Sequence, residues 1–250
     1  MMLVTLGSGG WIPTTERETC CYAIRRGSDV LVLDAGSGLR RLIDRPDLLA
    51  DAREIHIVLT HFHLDHVTGL GYLPAIAGRE SVTIWGPGHW LYDAPTALLL
   101  ERILEPPFFS AGLAGIASEV KELDEGAVAC GGFDLRARAQ RRHSAPTVAL
   151  RVEDALTYCT DTAFDPENAD FARSSALLLH EAWHATAETD DEIHSSAGQA
   201  ARIARQAGVG ELVLIHLDPL LRSPEALEAA ARSEFPSSRV GRDLESFELG

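Results

Sequence analysis

Thr60-His61-Phe62-His63-Leu64-Asp65-His66 runs directly out of the apolar, β-branched stretch Ile55 to Leu59 and carries the strongest signal in the chain. Four side chains of ligand type lie within six residues. In an extended segment residues two apart share a face, so His61 and His63 can reach one ion. If the chain then turns into a helix, Asp65 and His66 come round to a second position beside it. Neutral imidazole and carboxylate suit zinc, and the same donors admit manganese or iron. The competing reading is a polar loop with coincidental histidines. Ten histidines in 250 residues is high, but three of them with an aspartate in six positions exceeds what composition supplies.

A pair of metals needs donors from elsewhere in the chain. His143 lies in Arg141-Arg142-His143-Ser144-Ala145-Pro146, Asp161 follows the β-like run Leu156 to Thr160, and His216 follows Leu212 to Ile215. Each sits just after an apolar run or in a loop beside one. Taken singly each is weak, because a lone histidine is more often structural. Together they complete two sites of about four protein ligands each, with Asp161 able to bridge.

Around these residues short strands alternate with turns and helices. Leu3 to Leu6 ends in Gly7-Ser8-Gly9-Gly10, and Cys21 to Ile24 pairs with Val30 to Asp34 across Gly27-Ser28-Asp29. The Gly7 to Gly10 loop lacks the Lys-Ser/Thr ending of a phosphate-cradling loop and reads as a loop beside the metals. A short helix is expected near Leu39 to Ile43, helix-compatible sequence runs from the metal motif to Leu73, and a strand follows at Val82 to Trp85. Residues 89 to 120 read as two helical pieces around Pro106-Pro107. Strands return at Phe133 to Ala137, Val148 to Val152, Leu156 to Thr160, Leu177 to Leu179 and Leu212 to Ile215. Ser195 to Ala207 reads as a helix, as does Pro224 to Arg232 with Ser223 as N-cap. One α/β domain, residues 1–250, with helices over its sheets, fits this pattern.

Composition narrows the function. Lys and Arg number 22 against 37 for Asp and Glu, a net charge of −15, which repels nucleic acid and anionic membrane in general. No secretory signal and no membrane-spanning run is visible. Cys20, Cys21, Cys130 and Cys159 lack Cys-x-x-Cys spacing, so four reduced thiols in the cytoplasm is the expectation.

In their order along the chain, His61 to His66, His143, Asp161 and His216 resemble the ligand series of the metallo-β-lactamase superfamily. Leu6-Gly7-Ser8-Gly9-Gly10, Pro13-Thr14, Arg17, Asp34-Ala35-Gly36, Tyr158-Cys159-Thr160-Asp161-Thr162, His180-Glu181-Ala182 and His194-Ser195-Ser196-Ala197 resemble the motifs of its ribonuclease Z-like branch. The resemblance implies a four-layer αβ/βα sandwich with two Zn2+ at one edge. His61, His63 and His143 would hold one ion, Asp65, His66 and His216 the other, and Asp161 would join them. It further implies phosphodiester hydrolysis by a water that the two metals activate, with Asp65 orienting that water or accepting its proton. His194 would serve as proton donor to the leaving oxygen, and Glu181 would hold its imidazole in the useful tautomer. The plain alternative for His194 is a solvent-facing residue ahead of a helix capped by Ser195 or Ser196. His180 reads as a structural strand-end residue. Arg17, Arg141 and Arg142 are either phosphate contacts or solvated surface.

The chain departs from the branch in one place. Bacterial ribonuclease Z carries a long arm that grips the tRNA body, inserted between the strand after the third histidine and the strand leading to the bridging aspartate. Here only Glu153-Asp154-Ala155 separates those strands, which is a hairpin turn. With a charge of −15 as well, extended tRNA binding is disfavoured. A small or cyclic phosphodiester is the expected substrate. The alternatives are tRNA 3′-end cleavage, a lactone, thioester or β-lactam hydrolysed on the same metals, or a metal-bound module without catalysis. Family likeness also suggests a homodimer, to which Leu98 to Leu104 could contribute, although a buried core helix explains that stretch equally well.

Overall fold

Most strands of the computed structural model, which describes residues 1–78, 81–186, 192–221 and 223–250, form where the sequence is apolar and β-branched. β1 (Met2–Gly7), β2 (Cys21–Arg26), β3 (Asp29–Leu33), β4 (Glu54–Val58), β5 (Ser81–Gly86) and β6 (Glu119–Glu122) belong to one sheet. β7 (Gly126–Cys130), β8 (Phe133–Gln140), β9 (Thr147–Val152), β10 (Leu156–Cys159), β11 (Leu177–Glu181), β12 (Glu211–Ile215) and β13 (Ser238–Val240) make the second. β14 (Ser246–Glu248) returns to the first sheet beside β1. Among the described residues each sheet has seven strands, in the orders β14-β1-β2-β3-β4-β5-β6 and β13-β12-β11-β10-β9-β8-β7.

Alternation along each strand produces the layers. In β3, Leu31 and Leu33 enter the core between the sheets, and Val30 and Val32 face the helices outside. In β12, Val213 and Ile215 point inward and Leu212 and Leu214 outward. Helices cover the outer faces. On the first sheet lie α1 (Leu64–Val67), α2 (Leu73–Ile76) and α4 (Thr96–Leu104), while α3 (Gly88–Tyr92) packs Trp90 and Leu91 against the core between the sheets. On the second lie α5 (Glu167–Phe171), α6 (Ala197–Ala207) and α7 (Pro224–Glu234). Ala197, Ala200, Ala201 and Ala204 of α6 pack on Leu178, Leu212 and Leu214, small residues letting the helix lie close to the sheet. α4 turns Leu100 and Leu104 into the core and leaves Leu98 exposed. The result is the expected four-layer αβ/βα sandwich.

Two runs of parallel strands place the site. β3 to β6 are parallel, as are β10 to β13, so their carboxyl ends gather at one edge between the sheets. β9 and β10 pair antiparallel through Glu153-Asp154-Ala155, the hairpin turn expected there.

Other details differ from the sequence reading. The helix expected near Leu39 is a 3-10 helix, Ser37–Leu42. The helical stretch after the metal motif is broken into α1, a 3-10 segment Thr68–Tyr72 and α2. Within the 3-10 segment a Cβ on Gly69 would lie 2.2 Å from the Gly36 carbonyl oxygen, so only glycine allows that close backbone approach. Ser196, not Ser195, caps α6, in a capping box with Gln199. Ser223 precedes α7, but its hydroxyl bonds Glu225 rather than a helix amide. All four cysteines are free and buried. No helix among the described residues is long and apolar enough to cross a membrane.

Candidate metal centre

Every sequence-predicted ligand reaches the shared edge. His61, His63, Asp65 and His66 follow β4, His143 precedes β9, Asp161 follows β10, and His216 follows β12. Ligand-type atoms of His61, His63, His143 and Asp161 all lie within 4.8 Å of one another. Beside them, His66 Nε2 is 3.1 Å from Asp161 Oδ2 and 3.5 Å from Asp65 Oδ2. His216 Nε2 is 3.4 Å from both Asp65 Oδ2 and Asp161 Oδ1. Asp161 therefore touches both halves of the cluster.

Partners on the Nδ1 side fix the ring orientations. His66 Nδ1 donates to Asp34 Oδ2 at 2.8 Å, and His143 Nδ1 donates to the Ile193 carbonyl at 2.8 Å. His61 Nδ1 donates to Thr60 Oγ1 at 3.0 Å, and that hydroxyl donates on to Asp34 Oδ2 at 2.9 Å. With Nδ1 protonated, Nε2 of each ring offers a lone pair to the centre. Nε2 of His61 and of His66 is buried without a hydrogen-bond partner. Such orphaned atoms cost about 1–3 kcal/mol each, which cation binding would offset. The donor set and these orphaned nitrogens fit a pair of divalent cations.

Electrostatics favours positive charge here. Burial pulls His66 down, but Asp161, Asp34 and Asp65 outweigh it and hold its pKa well above the usual imidazole value. Burial would raise Asp161, but His216, His66 and His61 keep it well below the ordinary carboxylate range. His61, buried and beside His66, is pushed well down and stays neutral. The pocket thus attracts a cation at His66 Nε2, whether proton or metal.

Next to the cluster, His194 Nδ1 donates to Glu181 Oε2 at 2.8 Å. A ring nitrogen of His194 lies within 4.8 Å of ligand atoms of Asp161 and His216. Glu181 is fully buried and accepts the Thr162 amide. Burial pushes its pKa up, against His216 and the Thr162 and Ser195 amides, which pull it down. Ser195 Oγ donates to the Thr162 carbonyl at 2.7 Å, tying the His194 loop to the Asp161 loop. His180 is buried, with Nδ1 donating to the Glu181 carbonyl at 2.9 Å, away from the ligands.

Several contributors escaped the sequence reading. Asp34 was visible only as part of a motif, yet it accepts from Thr60 N at 2.7 Å and Tyr158 Oη at 2.7 Å as well as from His66. Its signal is an acidic residue closing an apolar strand. Trp183 stacks on His194, ring centres 4.5 Å apart and 11° from parallel, and nothing in its sequence context announces this. Cys20 Sγ lies within 4.8 Å of ring nitrogens of His66 and His216. Arg17 is half-buried and bound within the fold: its Nη1 donates to Ser8 Oγ at 2.6 Å and the Gly241 carbonyl at 2.5 Å. Arg142 donates to the Phe164 carbonyl. Strain gathers here too, since Trp11, Asp34, Asp161 and His216 all have positive φ, between 48° and 61°. Such backbone states persist where the surroundings over-determine them, typically at functional sites.

The profile of the beta-lactamase superfamily domain matches residues 30–217. Ribonuclease Z of Synechococcus sp. (strain CC9605) is 27% identical, with 100% of this chain and 98% of that protein covered. That alignment runs over 320 positions against 250 residues here, so the relative carries segments with no counterpart in this chain. Among solved structures, the metallo-beta-lactamase fold protein YhfI from Bacillus subtilis superposes with a TM-score of 0.79 at 20% identity, covering 99% of each chain. The short form of human tRNase Z superposes with a TM-score of 0.72 at 19% identity, covering 100% of each chain.

Proposed function

The chain belongs to the metallo-β-lactamase superfamily as a ribonuclease Z-like hydrolase, and we propose that it cleaves a small or cyclic phosphodiester as a single domain, residues 1–250. The observation that carries this reading is the meeting of seven ligand-type side chains with the Glu181–His194 pair at one sheet edge. His61, His63 and His143 would hold one divalent cation, Asp65, His66 and His216 the second, with Asp161 between them. Zinc suits the nitrogen-rich donor set best. When bound, such a pair supplies Lewis acidity and lowers the pKa of a shared water from 15.7 to about 7.

The chain's own groups do the rest. Asp65, whose Oδ2 accepts the Trp11 amide at 2.7 Å, is fixed to orient the attacking water and take a proton from it at the carboxylate. His194, aligned by Glu181 at Nδ1, delivers a proton to the leaving oxygen from Nε2. The decisive assay is turnover of bis(p-nitrophenyl) phosphate by protein loaded with zinc or manganese. His63→Ala should abolish it, and His194→Ala should cost about 10²–10⁴ in kcat. Wild-type turnover no higher than that of His63→Ala would sink the reading.

The full-length match to Ribonuclease Z favours a second reading, cleavage of tRNA 3′ ends. The three-residue β9–β10 turn and the charge of −15 speak against it. Precursor tRNA and cyclic nucleotides assayed side by side separate the two.

A further inference from the structure

Large apolar side chains are exposed on the segments that carry or contact the ligands. Trp11 is 62% exposed, Ile12 47%, Leu64 66% and Ile193 40%. Trp11, Leu64 and Ile193 are each tied to a ligand or to the catalytic pair, and Ile12 follows Trp11 directly. The Trp11 amide donates to Asp65, Leu64 sits between His63 and Asp65, and the Ile193 carbonyl accepts from His143 and precedes His194. Trp183 lines the same side, stacked on His194 and 5.4 Å from the His216 ring. Trp11 is held at φ 61°, a strained state for a bulky residue, and the Asp65 bond fixes it there. Four exposed apolar side chains beside one ligand cluster, contributed by three separate segments of the chain, is more than scattered surface exposure.

We propose that these side chains form a rim that binds the apolar part of the substrate, so that the enzyme takes phosphodiesters whose retained ester group is aromatic, such as a base-bearing nucleoside or an aryl group, rather than long polyanions. The rim is continuous with the metal ligands, so a group seated on it is covalently close to the scissile phosphate. Stacking against Trp11 is indifferent to the chain's negative charge, which repels a polyanion but not a base or phenyl ring. The reaction half of this inference rests on the phosphodiesterase reading above; the binding half does not.

Two measurements separate them. The first compares phenyl and methyl p-nitrophenyl phosphate, which share a leaving group, on the metal-loaded enzyme. The phenyl ester should be favoured in kcat/KM by about tenfold or more, chiefly through KM, equivalent to about 1.4 kcal/mol. Trp11→Ala and, separately, Leu64→Ser should shrink that ratio; both residues are exposed, so folding is not at stake. The second titrates the protein with phenyl phosphate and with methyl phosphate, following tryptophan fluorescence. Only phenyl phosphate should quench saturably, and Trp11→Ala should lose the effect. If neither diester turns over but phenyl phosphate still quenches through Trp11, the phosphodiesterase reading fails and the rim stands. Equal ratios in wild type and both variants, with no selective quenching, overturn the rim. So does a dimer, seen by light scattering, that Trp11→Ala and Leu64→Ser dissociate, because the rim is then a subunit contact.

Discussion

Asp34 shows how much one carboxylate can organise. It accepts from the Thr60 amide and hydroxyl, from Tyr158 Oη and from His66 Nδ1, and so joins both sheets to one imidazole. Asn keeps the size and tolerates the positive φ, but its amide offers one acceptor where the carboxylate offers two. Asp34→Asn should therefore fold and lose metal affinity, about 10–100-fold by analogy with other supporting carboxylates. Chelator competition checks this, and unchanged affinity would refute the role. The sequence revealed the ligands but not this support, because His motifs are local whereas Tyr158 meets Asp34 from 124 residues away. His180 offers a second test. Burial holds its imidazole down at about 4, against 6.5 for an exposed ring. Above pH 6.5 both folded and unfolded states carry it neutral, and its contribution is complete. Between about 6.5 and 4 only the unfolded chain takes up the proton, so stability falls as pH falls, by about 3 kcal/mol in all. Urea unfolding between pH 7 and 4.5 should show a shallower decline for His180→Gln than for wild type; parallel profiles would contradict this.

Gly10 governs the loop after β1 in a comparable way. A Cβ there would lie 2.7 Å from His216 Nε2 and 2.8 Å from Trp183 Cζ3, so no side chain fits without moving a ligand. Gly10→Ala should lower metal content preferentially at the half that includes His216, towards one ion per chain by elemental analysis. Two tightly held ions in the variant would show that the loop yields instead. On α6, Ser196→Ala removes the capping box and should cost about 1 kcal/mol, read as a lower urea midpoint with an unchanged slope. The long apolar elements were legible because alternation and helical spacing repeat within them. β6, with Glu119, Lys121 and Glu122, and the three-residue β13 and β14 carry too little apolar pattern to be read. They are strands because a neighbouring strand pairs with them, which is a property of the assembled sheet. The close approach of Gly69 to Gly36 after α1 is likewise a contact between distant residues that no local spacing discloses.

Across the whole molecule, charge and topology point the same way. The chain carries −15, with one lysine at position 121, and the β9–β10 connection is a turn of three residues. Arg138, Arg151 and Arg239 are already paired with Asp165, Asp154 and Glu211, and Arg17 is bound to Ser8 and Gly241. A protein that grips RNA through several phosphates loses affinity steeply with salt, the slope of log K against log salt being about −0.7 per phosphate for single strands. A net charge of −15 leaves no strongly basic track for such contacts, so the slope for precursor tRNA should lie near zero and binding should be weak even at low salt. Filter binding at 25, 50, 100 and 200 mM salt measures it. Saturable binding with a slope steeper than about −3, the signature of four or more phosphate contacts, would mean that an RNA track exists on this surface. The small-substrate reading would then give way to tRNA processing, with the three-residue turn bypassed rather than decisive.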